Sequence, residues 1–204
     1  MTARPTTNVL LTGVGGQGVV LASYVLSQVA MSEGYDVKQS EVHGMAQRGG
    51  SVTSHFRFGD KVWSPLVPAG TADLLMAFEA LEGLRYVNQL KPGGVLVYNA
   101  LRINPSPVSA GLATYPEDVD GLIKAAWPNV KCVNANELAA KAGTVKAANV
   151  AMLGAISPTL PFAPETWEAV IRKAVPPKTV DVNLEAFRLG AAVANEPTGD
   201  CKTG

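Results

Sequence analysis

The chain has 204 residues, 47% of them hydrophobic and 17% charged, with 17 basic and 17 acidic side chains in balance. That length suits one domain with a real core, and the charge balance gives no footprint for nucleic acid or an anionic membrane as a partner. The two cysteines, Cys132 and Cys201, form no CxxC pair, which argues against a disulfide framework, a zinc site or an iron–sulfur cluster; with no signal-like start and no run of transmembrane length, the expected location is the cytoplasm.

Residues 1–7 are polar and read as a loose lead-in. Val9 to Thr12 is a first strand, and Gln17 to Glu33 a helix with Val20, Tyr24, Ser27, Gln28 and Met31 at helical spacing, closed by Gly34. Tyr35 to Glu41 reads as strand two. His43 to Gly50 is a glycine-rich loop. Ser51 to Phe58 alternates like a half-buried strand, turns at Gly59-Asp60, and is expected to pair with Lys61 to Pro65 as a hairpin.

Asp73 to Ala77 is a short buried strand, Glu79 to Leu90 a helix, Val95 to Asn99 the next strand, and the proline-bearing residues 100–116 are irregular. Val119 to Ala126 is a helix and Val130 to Val133 a strand. Helices follow at Glu137 to Gly143, Lys146 to Ile156, Pro164 to Ala174 and Asn183 to Asn195, and residues 195–204 form a loose tail. The alternation implies a single Rossmann-like α/β domain over residues 8–194, a mostly parallel sheet with helices on both faces and a β-hairpin insertion.

Gly13, Gly15 and Gly18 are spaced as G-x-G-x-x-G between a strand and a helix, the context in which that motif carries a mechanism. Gly13 permits a tight turn, Gly15 lets a phosphate approach the backbone, and Gly18 lets the helix sit close on the strand. The helix start, with its unpaired N–H groups, attracts an anion. Gly13, Gly15, Gly16, Gln17 and Gly18 are therefore the candidate phosphate-binding residues. Glu41, at the end of strand two, stands where a dinucleotide fold keeps an acid for a ribose diol. It runs straight into Val42 to Gly50, which is not how a plain NAD site continues. His43 and Arg48 in that segment are candidates for anion binding, for a general base or for a subunit contact. His55 reads as a hydrogen-bonded strand histidine, and Glu79 and Glu82 as helix-start carboxylates. No nucleophile elbow, Walker lysine or HExxH motif is present, and no metal-ligand set is assigned.

The strings Gly-Val-Gly-Gly-Gln-Gly (13–18), Glu-Val-His-Gly-Met-Ala-Gln-Arg-Gly-Gly-Ser-Val (41–52), Ser-Pro-Leu-Val (64–67), Ala-Asp-Leu-Leu-Met-Ala-Phe-Glu (72–79) and Asn-Leu-Glu-Ala-Phe-Arg-Leu-Gly (183–190) together resemble the gamma-type domain of the 2-oxoacid:ferredoxin oxidoreductases, from about Asn8 to Ala194. The resemblance implies a subunit of an enzyme that decarboxylates a 2-oxoacid, here of the aryl class, on thiamine diphosphate. Electrons pass through iron–sulfur clusters to ferredoxin and the acyl group leaves on coenzyme A. It also implies that thiamine diphosphate, its magnesium and the 4Fe-4S clusters sit on a larger alpha subunit, that this chain is inactive alone, and that residues 13–18 help bind coenzyme A. The segment Glu41 to Ser51 then faces that subunit, with His43 and Arg48 as its polar contacts. Two other readings stay open: a self-sufficient NAD-dependent dehydrogenase, and a non-catalytic coenzyme A or nucleotide-binding module.

Overall fold

The structure, a computed structural model, describes residues 4–43 and 50–194. Strand β1 (Thr7–Val14) is buried from Val9 onward on both faces, as a strand between two helical layers must be. Helix α1 (Val19–Ser32) returns the chain to β2 (Asp36–His43), which turns back into β3 (Ser51–Gly59). Then come β4 (Ala72–Ala77), α2 (Ala80–Tyr86), β5 (Leu90–Asn99), the short α3 (Ser106–Ser109), α4 (Val119–Ala126) and β6 (Val130–Val133). Four helices close the chain: α5 (Ala135–Ala142), α6 (Ala148–Ile156), α7 (Pro164–Ala174) and α8 (Val180–Ala194).

The six strands are ordered β2-β3-β1-β4-β5-β6. The pairs β1–β4, β4–β5 and β5–β6 are parallel, and β3 is antiparallel to both β2 and β1, so β3 alone runs against the rest. This corrects the expected hairpin. The partner of Ser51 to Phe58 is not Lys61 to Pro65 but β2 on one side, in the register Asp36↔Gly59 to His43↔Val52, and β1 on the other. With both edges of β3 taken, residues 60–71 leave the sheet and cross one face of it. There the Arg57 guanidinium donates to the carbonyls of Ser64 (2.8 Å) and Leu66 (3.2 Å), and His55 Nδ1 accepts the Val67 N–H at 3.1 Å. Pro65 and Pro68 supply no ladder donor in this stretch, which suits a crossing segment better than a strand.

Alternate residues of β1 feed two cores. Val9 and Leu11 join Phe56, Phe58, Met76 and Val97 under α1, α6, α7 and α8. Leu10 joins Leu75, Leu96, Tyr98 and Ile123 under α2 and α4. Helix α1 buries Val19, Ala22, Val25, Leu26, Val29 and Ala30, and leaves Val20, Tyr24 and Met31 exposed. Val20, Tyr24 and Met31 of that spacing therefore mark the outer face, while Ser27 is buried, because the helix is apolar on both sides.

Residues 4–7, read as part of a loose lead-in, are held. Arg4 Nε meets Asp60 Oδ1 at 2.7 Å, its other nitrogens donate to the carbonyls of Glu33 and Gly34, and its guanidinium lies 4.0 Å from the Tyr35 ring centroid. At the opposite edge, Cys132 in β6 is disulfide-bonded, which the reading of two unrelated cysteines does not anticipate. Beside it, α8 ends against β6 with Lys131 Nζ donating to the Ala194 carbonyl.

Helices α6 and α8 pack backbone to backbone. A Cβ built on Gly190 would lie 2.0 Å from the Ala151 carbonyl oxygen, and one on Gly154 the same distance from that of Phe187. Neither oxygen can give way without moving a helix, so Gly190→Ala is an overpacking substitution that costs about 1–3 kcal/mol or more. The expected outcome is a clear fall in the thermal midpoint on calorimetry; an unchanged midpoint would show that the two backbones are not in contact.

Candidate functional site

The connection after β1 places α1 on one face of the sheet, and the connection after β4 places α2 on the other. The crevice between the carboxyl ends of β1 and β4 is thus the topological switch point, where ligands bind in open α/β sheets. The glycine turn lies there, and its glycines have different reasons to be glycine. A Cβ on Gly13 would meet Gln17 Oε1 at 2.9 Å and Phe78 Cβ at 3.0 Å; one on Gly18, at φ +79°, would lie 2.5 Å from Asn149 Nδ2. Both are imposed by the protein's own packing. Gly16, at φ +102°, has nothing within 4 Å of its missing Cβ and lines the cleft. Gly16 is therefore the position where the described structure leaves room for a ligand to approach the backbone.

The turn is fastened on both sides. Gln17 Oε1 accepts the Val14 N–H at 2.6 Å and its Nε2 donates to the Phe78 carbonyl at 2.8 Å, so both ends of this amide are used internally. The Gly15 N–H donates to the Gly50 carbonyl at 2.9 Å, which ties the turn to the end of the 41–51 string.

The cleft has a volume of about 140 Å³. Gly16, Gln17 and Phe78 form one wall, Asn99 at the end of β5, Leu101 just beyond it and Asn136 on α5 a second, and Val145, Lys146, Ala148 and Asn149 the third. Asn99 is buried. Its Nδ2 donates to the Phe78 carbonyl (3.2 Å) and Asn136 Oδ1 (3.0 Å), and its Oδ1 accepts the Ala135 N–H (3.0 Å). Residues just before α1 and from the first turns of α5 and α6 meet at this place, and helix starts carry partial positive charge. Among the described residues, Lys146 is the one formal charge in the lining and no carboxylate joins it. Among the described residues, the lining holds neither a nucleophile nor a general base.

The structure brings Gly16 and Gln17 into this cleft but not Glu41. That residue lies on β2, separated from β1 by β3, which puts it roughly 10 Å away by strand spacing alone. Its Oε1 accepts from Gln39 Nε2 at 3.0 Å, and Gln39 in turn accepts from Ser27 Oγ at 2.7 Å, so Glu41 belongs to a polar seam between α1 and β2. His43 ends β2 opposite Val52, at the same end of the sheet as the turn. Arg48 lies outside the described residues. His55 is the hydrogen-bonded strand histidine expected, with burial holding its pKa below the ordinary value.

Glu79 and Glu82 are both buried, and both are structural in their contacts. Glu79 caps α2 by accepting the Glu82 N–H at 2.9 Å, and it also accepts from the Ile103 N–H and the Tyr115 hydroxyl. Burial, then the bond to Glu79, raises the Tyr115 pKa. Glu82 accepts from Ser51 Oγ at 2.5 Å, Arg85 Nη1 at 2.6 Å and Thr12 Oγ1 at 3.4 Å, so it fixes the point where the 41–51 string re-enters the sheet. Sequence reasoning missed Asn99, Asn136, Lys146 and Asn149. Asn99 and Asn136 had a signal, a polar amide just past an apolar strand. Lys146 and Asn149, more than a hundred residues from the turn, had none. Among the described residues no group of three or more His, Cys, Asp or Glu side chains is placed to hold a metal, and no helix is long and apolar enough to cross a membrane.

Residues 8–193 match the model of the family described as pyruvate ferredoxin/flavodoxin oxidoreductase. The chain is similar to the indolepyruvate oxidoreductase subunit IorB of Thermococcus kodakarensis, 45% identical over 94% of this chain and 98% of that protein. It is similarly related to the subunit of the same name from Pyrococcus horikoshii, 46% identical over 93% and 96%. Among solved structures, the gamma subunit of a keto/oxoacid ferredoxin oxidoreductase from Geobacter sulfurreducens superposes with a TM-score of 0.70 at 25% identity, over 92% of this chain and 98% of that one. A match over nearly the whole domain, with near-equal lengths and the same fold, settles the relationship: the chain belongs to the pyruvate ferredoxin/flavodoxin oxidoreductase family.

Proposed function

We propose that this chain is the small subunit of a cytoplasmic complex that oxidatively decarboxylates an aryl 2-oxoacid such as indolepyruvate to its acyl-coenzyme A, and that the cleft at the glycine turn holds the phosphates of coenzyme A. The observation that carries the second part is the cleft itself: a switch-point pit with an open glycine backbone, helix starts and, among the described residues, one lysine and no acid. Its volume of about 140 Å³ is well below the roughly 300–1,000 Å³ of a pocket that encloses a whole ligand. It suits one end of a long ligand whose remainder is covered by another surface. The position of Glu41, two strands from the turn, weighs against the NAD-dehydrogenase reading.

Thiamine diphosphate with its magnesium, and the 4Fe-4S clusters that feed ferredoxin, are assigned to a larger alpha subunit. A 4Fe-4S cluster takes four thiolates, and the two cysteines of this sequence do not fit that requirement. When bound on the partner, thiamine diphosphate supplies the carbanion chemistry. This chain's share is to bind and orient the coenzyme and, through the Glu41 to Ser51 string with His43 and Arg48, to contact the larger subunit. The near-equal length of relatives named as indolepyruvate oxidoreductase subunits supports that division.

Purification of a tagged copy from its native cells is expected to bring down a larger chain containing thiamine and iron; recovery of the chain alone, or with only a dinucleotide, contradicts the subunit reading. In the assembled complex, Gly16→Val is expected to raise the KM for coenzyme A at least tenfold. Gly34→Val is the control, because Gly34 also has a positive φ (+77°) and an open Cβ position but lies at the far end of α1. An equal effect from both variants, or none from Gly16→Val, removes the coenzyme from this cleft. Arg48→Ala is expected to weaken subunit association or turnover, read by native mass measurement and steady-state rates; no change in either takes Arg48 out of the interface.

A further inference from the structure

We propose that Lys146 is the binding residue that neutralises the phosphate seated in this cleft, and that its ammonium group gives the cleft its preference for a phosphorylated ligand. The inference rests on the coenzyme A reading and names the side chain that reads the anion, which the glycine turn alone does not.

Most of the polar groups around the pit are already committed to the protein. Gln17 is bonded at both ends of its amide, and so is Asn99. Asn149 donates to the Gly18 carbonyl (3.4 Å) and accepts the Val150 N–H (3.0 Å). Asn136 uses its Oδ1 to accept from Asn99, which leaves its amide nitrogen as a donor. Among the described residues, Lys146 adds the only full charge in the lining, and its Nζ makes no hydrogen bond or ion pair. Some other lysines of the chain are paired, Lys38 with Asp36 and Lys91 with Asp73.

The main chain under Lys146 is fixed although its side chain is exposed. It sits in a 3-10 turn, Val145–Ala147, whose start is capped by Thr144 Oγ1 accepting the Lys146 N–H at 3.4 Å, and α6 follows directly. A lysine held this way presents a compact cation on a flexible stem, the form in which lysine meets phosphate oxygens. With no carboxylate among the described lining residues to compete, its charge is left for a ligand.

The test uses the assembled complex and four variants: Lys146→Ala, Lys146→Gln, Lys146→Arg and Gly16→Val. Losing one charge-assisted contact is expected to raise the KM for coenzyme A about ten- to a hundredfold in the Ala and Gln variants. The kcat at saturating coenzyme and the KM for the 2-oxoacid should hold. Inorganic pyrophosphate, as a competitor of coenzyme A, should lose potency in parallel, and the rise of KM with ionic strength should flatten. Lys146→Arg should recover most of the wild-type KM. If Gly16→Val raises the KM and Lys146→Ala does not, Lys146 is a solvated lysine and the inference fails while the coenzyme A reading stands. If neither variant moves it, both fail. A loss of kcat shared equally by the Ala, Gln and Arg variants overturns the inference in favour of a structural role.

Discussion

The Phe78 carbonyl accepts two side-chain amides, Gln17 Nε2 at 2.8 Å and Asn99 Nδ2 at 3.2 Å, while the Phe78 N–H donates to the Thr12 carbonyl at 2.8 Å. That one residue's backbone joins the turn after β1 to the ends of β4 and β5, and Asn99 carries the connection on to Ala135 and Asn136 at the start of α5. Parallel strands that stop at a crevice leave their last backbone groups without a ladder, and buried groups of that kind need partners. Here they are satisfied by side chains instead of by a ligand. The walls of the cleft are thus set before anything binds, which limits the ordering cost that binding would otherwise carry.

Insertion of the antiparallel β3 has consequences at both ends of the sheet. It moves β2 one place outward, so the acid that a dinucleotide fold would bring beside the first strand is carried away from the turn and drawn into the seam of Ser27, Gln39 and Glu41. It also brings Gly50 and Ser51, where the chain re-enters the sheet, beside the turn and beside Glu82. A glycine fingerprint that matches NAD-binding folds in sequence spacing therefore sits in a different neighbourhood, and the ligand it suits is chosen by the second half of the cleft.

Much of the fold was legible because buried parallel strands are short apolar runs and their helices are bounded by strong signals. The helices Val119–Ala126 and Pro164–Ala174 and the strand Val130–Val133 fall where the pattern puts them, the second helped by a proline at its first position. The partner of β3 was not legible. Alternation identifies a half-buried strand but carries no information about which neighbour it takes, and the nearest candidate in sequence, Lys61 to Pro65, is displaced by β1 and β2. The glycine wall of the cleft could be read from spacing, since it is local. The asparagine and lysine wall could not, because Asn99, Asn136, Lys146 and Asn149 converge only through the crossover connections.

The low charge fraction of the chain can now be placed on its surface. Val20, Tyr24 and Met31 run along the outer face of α1, directly after the glycine turn, and Val42 and Val145 flank the same end of the sheet; all are about half exposed. Apolar residues scattered singly over a surface need no explanation, but a row leading away from a polar pit is a different arrangement. On the subunit reading, the row and the pit have one cause. A cleft too small to enclose its ligand needs a second wall, and an apolar rim beside it lets that wall be another chain, which would desolvate the Lys146 side and strengthen its hold on a phosphate as it closes.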